Sequence, residues 1–449
     1  MNYETKHFPS LTPHSPAGQS KRKLKIAFVH QPWSVIRPPV FLTGVADSIG
    51  LLTDEIARRT ARSHDVIEYC PVVRGQRRAE RFDGVEYRRA PVSIDHAIFR
   101  IIRQLDRSGL RKERQPFFSS ALCYRQYIGE IIGDLARQNC DIVHVHNFSQ
   151  FVPLVRARLP KTRIVLHMHC QWLEQLDAAV VERRIDAADL VLGCSSFIAA
   201  GVRRRFPSLA QRCHHVYNGV DMTLFASPPG VRRVPKKILY VGRLSPEKGI
   251  HILLDAFRIV LDHHPDAHLE LIGPVGATPY EMIHFSRDDS YLVAIEPYYR
   301  RGAYAELLRA KVSGLPLGSV SFFNKGMPFY ELVPHYHSAS VFVLPSVCSE
   351  GFGMPVVEAM ASHTPVVVTR SGGAQEIIEY GRSGLLVERG DVQALAGAIL
   401  ELLSNPNQRD AMAQAAFERA STMFTWNRVT EDLLKEYERL CPCRSGARV

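Results

Sequence analysis

The sequence predicts an α/β protein of two Rossmann-like, doubly wound halves, and three observations carry that reading. Twice the chain starts a unit with a short apolar strand, a turn and an amphipathic helix. The first start runs from residues 23–30 into a helix over about 46–62, and the second from 238–241 through a glycine turn into a helix over 250–261. Between them lies a compositional break, where Asn218-Gly219 is strong turn chemistry and Pro228-Pro229-Gly230 leads into a charged run ending at Lys237. Finally, 449 residues of which 46% are hydrophobic can bury two or three cores.

In the first half, Ile26, Ala27, Phe28 and Val29 form a buried-type strand, followed by a loop with Pro38-Pro39 and a helix carrying Ile49, Leu52, Ile56 and Ala57 on one face. A second strand is expected over 65–70, and the Arg-rich stretch 71–120 reads as irregular. A helix over 121–139 leads to the strand 141–146, where His144 and His146 alternate with apolar residues and share one face. Another strand, 162–169, ends in His167-Met168-His169, and a helix over 180–188 and a strand over 190–194 close this half. Each histidine has two readings at this level, a group that reaches a cleft or a satisfied packing residue.

In the second half, the strand 238–241 runs into Gly242-Arg243, with Lys248-Gly249 just before the helix. A strand, a glycine turn and two cations ahead of a helix form a phosphate-binding arrangement: Arg243 can fork onto two oxygens and Lys248 brings a mobile point charge. The spacing does not match G-x4-G-K-[ST], which argues against a P-loop nucleotidase. A strand over 269–273 follows, ending at Gly273. The segment 274–304 has no clean periodicity and is long for a connection. It reads either as a part of an acceptor or partner site or, slightly favoured, as a plain surface insertion.

The stretch Ser349-Glu350-Gly351-Phe352-Gly353-Met354-Pro355-Val356-Val357-Glu358 follows the strand 340–346 and opens a helix near Pro355. Its glycines let backbone N–H groups come close to a ligand, and the helix start aims a positive dipole end at the same spot. Glu350 lies in the loop at the strand's carboxyl end, where open α/β sheets bind ligands. These residues suit an anionic ligand with hydroxyls, such as a nucleotide sugar. The bland alternative is a strand–turn–helix with two incidental glutamates.

Glu350 and Glu358 resemble the E-x7-E motif of GT-B glycosyltransferases, family 4. Gly242-Arg243 with Lys248-Gly249 resembles that family's GR-x-x-x-x-KG, Asn218-Gly219-Val220-Asp221 its NGVD crossover, and Gly372-Gly373 with Glu376 its GG-x-x-E turn. The likeness covers roughly 24–441 and is dense over 238–391. It implies a GT-B fold: a flexible tail (1–23), an acceptor-side domain (24–216), a donor-binding domain (217–424) and a last helix (425–449) that crosses back to the first domain. It implies a retaining transfer from a nucleotide-diphosphate sugar to an acceptor hydroxyl, with no cofactor or metal. Arg243 and Lys248 would neutralise the leaving diphosphate, met also by the N–H groups of Gly242, Gly351, Phe352, Gly353 and Met354. Glu350 would sit by the sugar, Glu358 on the ribose, Gly273 against the base. His169 matches the family histidine beside the donor sugar, with His167 at the usual Thr position. Where relatives carry a Gly-Gly pair near the phosphate, this chain has only Gly44. A nucleotide-sugar epimerase or a non-catalytic nucleotide-sugar-binding relative are the competing classes; the second should have lost Arg243, Lys248 or Glu350.

The net charge of +11 is uneven: residues 21–114 hold 20 Lys and Arg against 11 Asp and Glu. Arg74, Arg77, Arg78, Arg81, Arg88 and Arg89 would attract an anionic membrane surface or an acidic acceptor, or form a solvated basic face. No recognition motif points to nucleic acid. There is no run of eighteen apolar residues and no apolar leader core, and the nine cysteines lack a C-x2-C pair. A reduced, cytoplasmic protein is therefore expected, peripheral to the inner face of a membrane if the basic face is used for that. A glycan, a lipid-linked sugar or a small molecule would each serve as acceptor.

Overall fold

The structure, a computed structural model, describes residues 22–38, 47–107, 114–228, 230–276, 278–283 and 288–442. Residues 1–21 of the expected N-terminal tail and Gly44 lie outside the described residues, while Arg22 and Lys23 pair with Asp141 and Asp65. The first sheet contains β1 (Lys25–Val29), β2 (Asp65–Pro71), β3 (Ala79–Phe82), β4 (Val85–Ala90), β5 (Ile142–His146), β6 (Arg163–Met168), β7 (Leu190–Gly193) and β8 (Cys213–His215). Their order is β3-β4-β2-β1-β5-β6-β7-β8, parallel apart from the antiparallel β3–β4 pair at one edge. The second sheet contains β9 (Lys237–Val241), β10 (His268–Ile272), β11 (Val320–Phe323), β12 (Val341–Leu344), β13 (Val366–Thr369) and β14 (Leu385–Val387), all parallel. Their order, β11-β10-β9-β12-β13-β14, is the Rossmann arrangement that reverses direction between β9 and β12. The central strands are buried along their whole length because helices cover both faces of each sheet, so they read as apolar runs rather than alternations.

The stretch 71–120 is more regular than expected. Asp83 and Gly84 both take positive φ and turn the β3–β4 hairpin, an Asp-Gly signal obscured by the surrounding arginines. A helix over Ser93–Arg107 follows. The helix Ser196–Arg205 and strand β8 are further elements that periodicity did not single out, both being short and interrupted by Arg runs.

The last helix, Trp426–Leu440, packs on the helix Ser48–Thr60 of the first domain, and the Arg59 guanidinium donates to Asn427 Oδ1 at 3.3 Å. Gly219 explains how the crossover closes: a β-carbon there would run into the Trp426 indole. Val220 N–H donates to the Phe424 carbonyl at 2.7 Å, so the two crossings are stitched side by side. The eight described cysteines are free thiols, five of them buried.

Candidate active site

Two loops leave the second sheet at its point of reversal, one after β9 and one after β12. Glu247 ties them together: its carbonyl accepts from the N–H groups of Val347 at 3.0 Å and Cys348 at 3.2 Å. Its carboxylate accepts from the Tyr299 hydroxyl at 2.6 Å. Gly249, with φ of 69°, lets the backbone pass so close to the Pro345 carbonyl that no side chain would fit. Knit in this way, the loops place Lys248 Nζ 2.6 Å from Glu350 Oε1, both side chains largely buried. The Ser346 hydroxyl also donates to that oxygen. Burial alone would raise the Glu350 carboxyl; the Lys248 ammonium and the Ser346 hydroxyl overcome it and hold the group below the usual carboxylate range. Lys248 is correspondingly raised against the opposing effect of burial.

Arg243 is the exposed member of the group, its side chain 44% accessible, with Glu247 Oε1 at 3.5 Å and the Thr278 hydroxyl against its guanidinium. An exposed fork beside a buried ammonium is a fitting receptor for a diphosphate. Gly242 and Gly273 end adjacent strands, and a β-carbon on Gly273 would clash with the Gly242 carbonyl. Beyond β12, Gly353 has φ of 112° and precedes the helix Met354–Ala361, whose first N–H groups have no partner within the helix. The Phe352 ring is not at the site surface; it packs between Tyr217 and Phe424, leaving only its backbone for a ligand.

Glu358 lies apart from the Lys248–Glu350 pair. It is buried on its helix and accepts from the Tyr336 hydroxyl at 2.7 Å. His169 reaches the site from the other domain. Its carbonyl lies against Gly351 closely enough to exclude a side chain there. The His169 N–H donates to Asn147 Oδ1 at 2.7 Å, and Asn147 Nδ2 donates to Gln31 Oε1 at 2.9 Å, so the loops after β1, β5 and β6 move as one. Burial holds the His169 ring well below the ordinary imidazole range, hence neutral. His167 is fully buried and bonded to His144 at 3.2 Å, so of the two it is His169 that stands at the domain boundary.

Sequence reasoning missed two contributors. Glu376, seen only as part of a glycine turn, places its carboxylate on the N–H groups of Ser196 (2.9 Å) and Phe197, at the start of a first-domain helix. The segment 274–304, expected to be a plain surface insertion, instead touches both domains. Trp172 Nε1 donates to the Met282 carbonyl at 2.9 Å, Arg114 pairs with Asp288, and Asp289 pairs with Arg389 at 2.9 Å. Of its aromatic residues, Tyr298 and Tyr304 pack on His251 and Tyr291 lies under the Arg389 guanidinium.

The comparisons with known proteins agree with this geometry. Residues 49–224 match the family described as Glycosyltransferase Family 4, and residues 226–419 match Glycosyl transferases group 1. Spore coat protein SA of Bacillus subtilis is 27% identical over 334 residues, covering 70% of this chain and 82% of its own. D-inositol 3-phosphate glycosyltransferase of Corynebacterium urealyticum is 32% identical over 272 residues, covering 57% of this chain and 58% of its own. Among solved structures, Anabaena HepE in complex with UDP-glucose superposes with a TM-score of 0.64 at 19% identity, over 93% of this chain and all of that one, a likeness of fold.

Glu358 yields a test of its own. Burial pushes its carboxyl up from 4.5 to about 7, with the Tyr336 hydroxyl pulling the other way. The folded state thus holds this proton more tightly than the unfolded chain. The associated stability is complete below the unfolded value and is lost as pH rises from about 4.5 through 7. Glu358→Gln is expected to flatten that decline by an amount on the order of 3 kcal/mol. Melting temperature against pH would read it, and a variant curve running parallel to the wild type would contradict the assignment. The chain belongs to the GT-B glycosyltransferases of family 4 and is a glycosyltransferase enzyme.

Proposed function

We propose that the enzyme moves a sugar from a nucleotide-diphosphate sugar to an acceptor hydroxyl, with retention of anomeric configuration and without a metal on the diphosphate. The observation that carries this is the buried Lys248–Glu350 pair with Arg243 beside it, at the reversal point of the second sheet. Negative charge grows on the leaving diphosphate as the glycosidic bond breaks. Two fixed cations and a helix N-terminus are suited to receive that charge without reorganising. Glu350 is kept ionised beside them, available to the positive charge that grows at the anomeric carbon. HepE, of the same fold, binds UDP-glucose, which makes a uridine donor the first to try. An epimerase would need an acid and a base aimed into the cleft; neutral His169 and ion-paired Glu350 suit it poorly.

Thermal stabilisation by UDP, GDP and ADP, with and without Mg2+, is the first measurement. One nucleotide is expected to raise the melting temperature without metal, by about 2.7 kcal/mol of stabilisation at a hundred times its Kd. Lys248→Ala and Glu350→Ala are each expected to lose at least a hundredfold in transfer while keeping the fold. Near wild-type activity in either would overturn the site.

The basic first domain suits an acceptor presented at an anionic membrane, and the helix Ser93–Arg107 supports that reading. Ile94, Ile98 and Ile101 are 60%, 39% and 60% exposed along one face, with Arg100 exposed on the same helix. No helix among the described residues is long and apolar enough to cross a membrane. Co-sedimentation with phosphatidylglycerol vesicles, but not with phosphatidylcholine vesicles, is expected. Ile98→Glu with Ile101→Glu should abolish it; unchanged binding by that variant would remove this helix from the reading.

A further inference from the structure

Five histidines line one face of the first sheet's carboxyl edge: His30 after β1, His144 and His146 on β5, His167 on β6 and His169 after it. Their rings form a continuous cluster, with centroids 4.7 Å apart for His144–His146, 5.2 Å for His144–His167 and 5.7 Å for His146–His167. Two hydroxyls from covering helices fix how the central rings face. Thr53 Oγ1 donates its proton to the Ile49 carbonyl at 2.7 Å, so toward His146 Nε2, at 3.2 Å, it can only accept. That leaves the lone pair of His146 on Nδ1. The Tyr437 hydroxyl is hydrogen-bonded to His144 Nδ1 at 2.7 Å, which leaves Nε2 as the His144 nitrogen that faces the cluster, 3.2 Å from His167 Nδ1. Metal-ligating histidines are typically oriented in this way, by an outer partner on the nitrogen that does not ligate.

The cluster's own hydrogen bonds, between His144 Nε2 and His167 Nδ1 at 3.2 Å and between His146 Nδ1 and His169 Nε2 at 3.0 Å, leave other atoms of it unsatisfied. His167 Nε2, His30 Nδ1, His169 Nδ1 and Glu68 Oε1 are all sequestered from solvent without a hydrogen-bond partner. Each such atom costs about 1–3 kcal/mol. One of the four, His167 Nε2, belongs to the tight group of His144, His146 and His167, where a packing role leaves it unexplained.

We propose that His144, His146 and His167 bind a divalent transition metal of the zinc class, as a structural ion inside the first domain. One ring nitrogen from each residue lies within 4.8 Å of the other two, and all three residues are buried. Zinc–imidazole bonds of about 2.0–2.1 Å require the nitrogens to draw in by roughly 1 Å, which ring rotations supply. Three imidazoles suit Zn2+ or Co2+ and give a poor site for Mg2+ or Ca2+. The site lies off the diphosphate-facing loops of the second domain. It adjoins the donor-side histidine, His146 Nδ1 lying 3.0 Å from His169 Nε2, but uses none of the residues that face the diphosphate.

The test uses the full chain, freed of any polyhistidine tag, loaded with Zn2+ or Co2+ and passed over a desalting column. About one equivalent of metal per chain is expected by elemental analysis, with the visible bands of tetrahedral cobalt in the Co2+ form. A chelator should lower the melting temperature of the wild-type protein. His144→Gln with His167→Gln should lose the metal and the chelator effect while keeping the far-ultraviolet circular dichroism. Wild-type protein that holds less than about a tenth of an equivalent after loading overturns the proposal whatever the variant does, and so does a folded double variant that retains the metal.

Discussion

The constraint that sets how the two domains meet is a backbone contact: the carbonyl of His169, just after β6, lies against Gly351. No side chain fits between them, so residue 351 must be glycine for the sheets to face each other at this distance. The adjacent contacts depend on the same approach. Gly373 fits between the Gly351 carbonyl and Ser195, its N–H donating to the Glu350 carbonyl at 2.8 Å. From that turn Glu376 reaches across to the first turn of the helix Ser196–Arg205, where a carboxylate meets unpaired N–H groups and the positive end of the helix dipole. A substitution at Gly351 would therefore disturb the cleft from both sides, displacing His169 and the loop that carries Glu350 together.

The same approach gives the helix Trp426–Leu440 its purpose. It starts beside the crossover at Gly219 and Val220, then runs over the first domain to place Tyr437 against His144. The chain crosses between domains twice at one place, which restricts their relative motion to a hinge near the crossover. The segment 274–304 spans the opposite rim through Trp172–Met282 and Arg114–Asp288.

What could be read from the sequence was whatever depends on neighbours along the chain. Arg243, Lys248 and Glu350 sit in loops whose strands and helices announce themselves by apolar runs, glycine turns and a proline at the helix start. The crossing helix was legible too, from its amphipathic pattern. What could not be read depends on register or on the other domain. Glu376 looks like any glutamate after a glycine pair until the second domain is laid against the helix at Ser196. The alternation of His144 and His146 shows that they share a face, but only the parallel register of β5 with β6, which sets His146 opposite His167, brings the third ring to them. The hairpin at Asp83-Gly84 carried a turn signal that the arginines around it outweighed.

The Lys248–Glu350 pair raises a last question, namely why a binding site would bury two charges that already satisfy each other. Such a pair stabilises a fold little, since desolvating both ions offsets most of their attraction. Removing one partner is costly, because it strands the other. The pair therefore makes better sense as preparation than as a brace. An ammonium that has already shed its water meets a diphosphate without further desolvation. Lysine, unlike arginine, can turn one of its three donors to a phosphate while another stays on Glu350. The carboxylate then keeps its charge within reach of the sugar, on the far side of the bond that breaks. Arg243, half in solvent and held by Thr278 from the rim segment, is placed to make the first contact with an incoming diphosphate. In the transfer proposed above, the exposed cation would capture and the buried one would stabilise the charge that develops later, while the rim segment that holds the first also bridges the two domains.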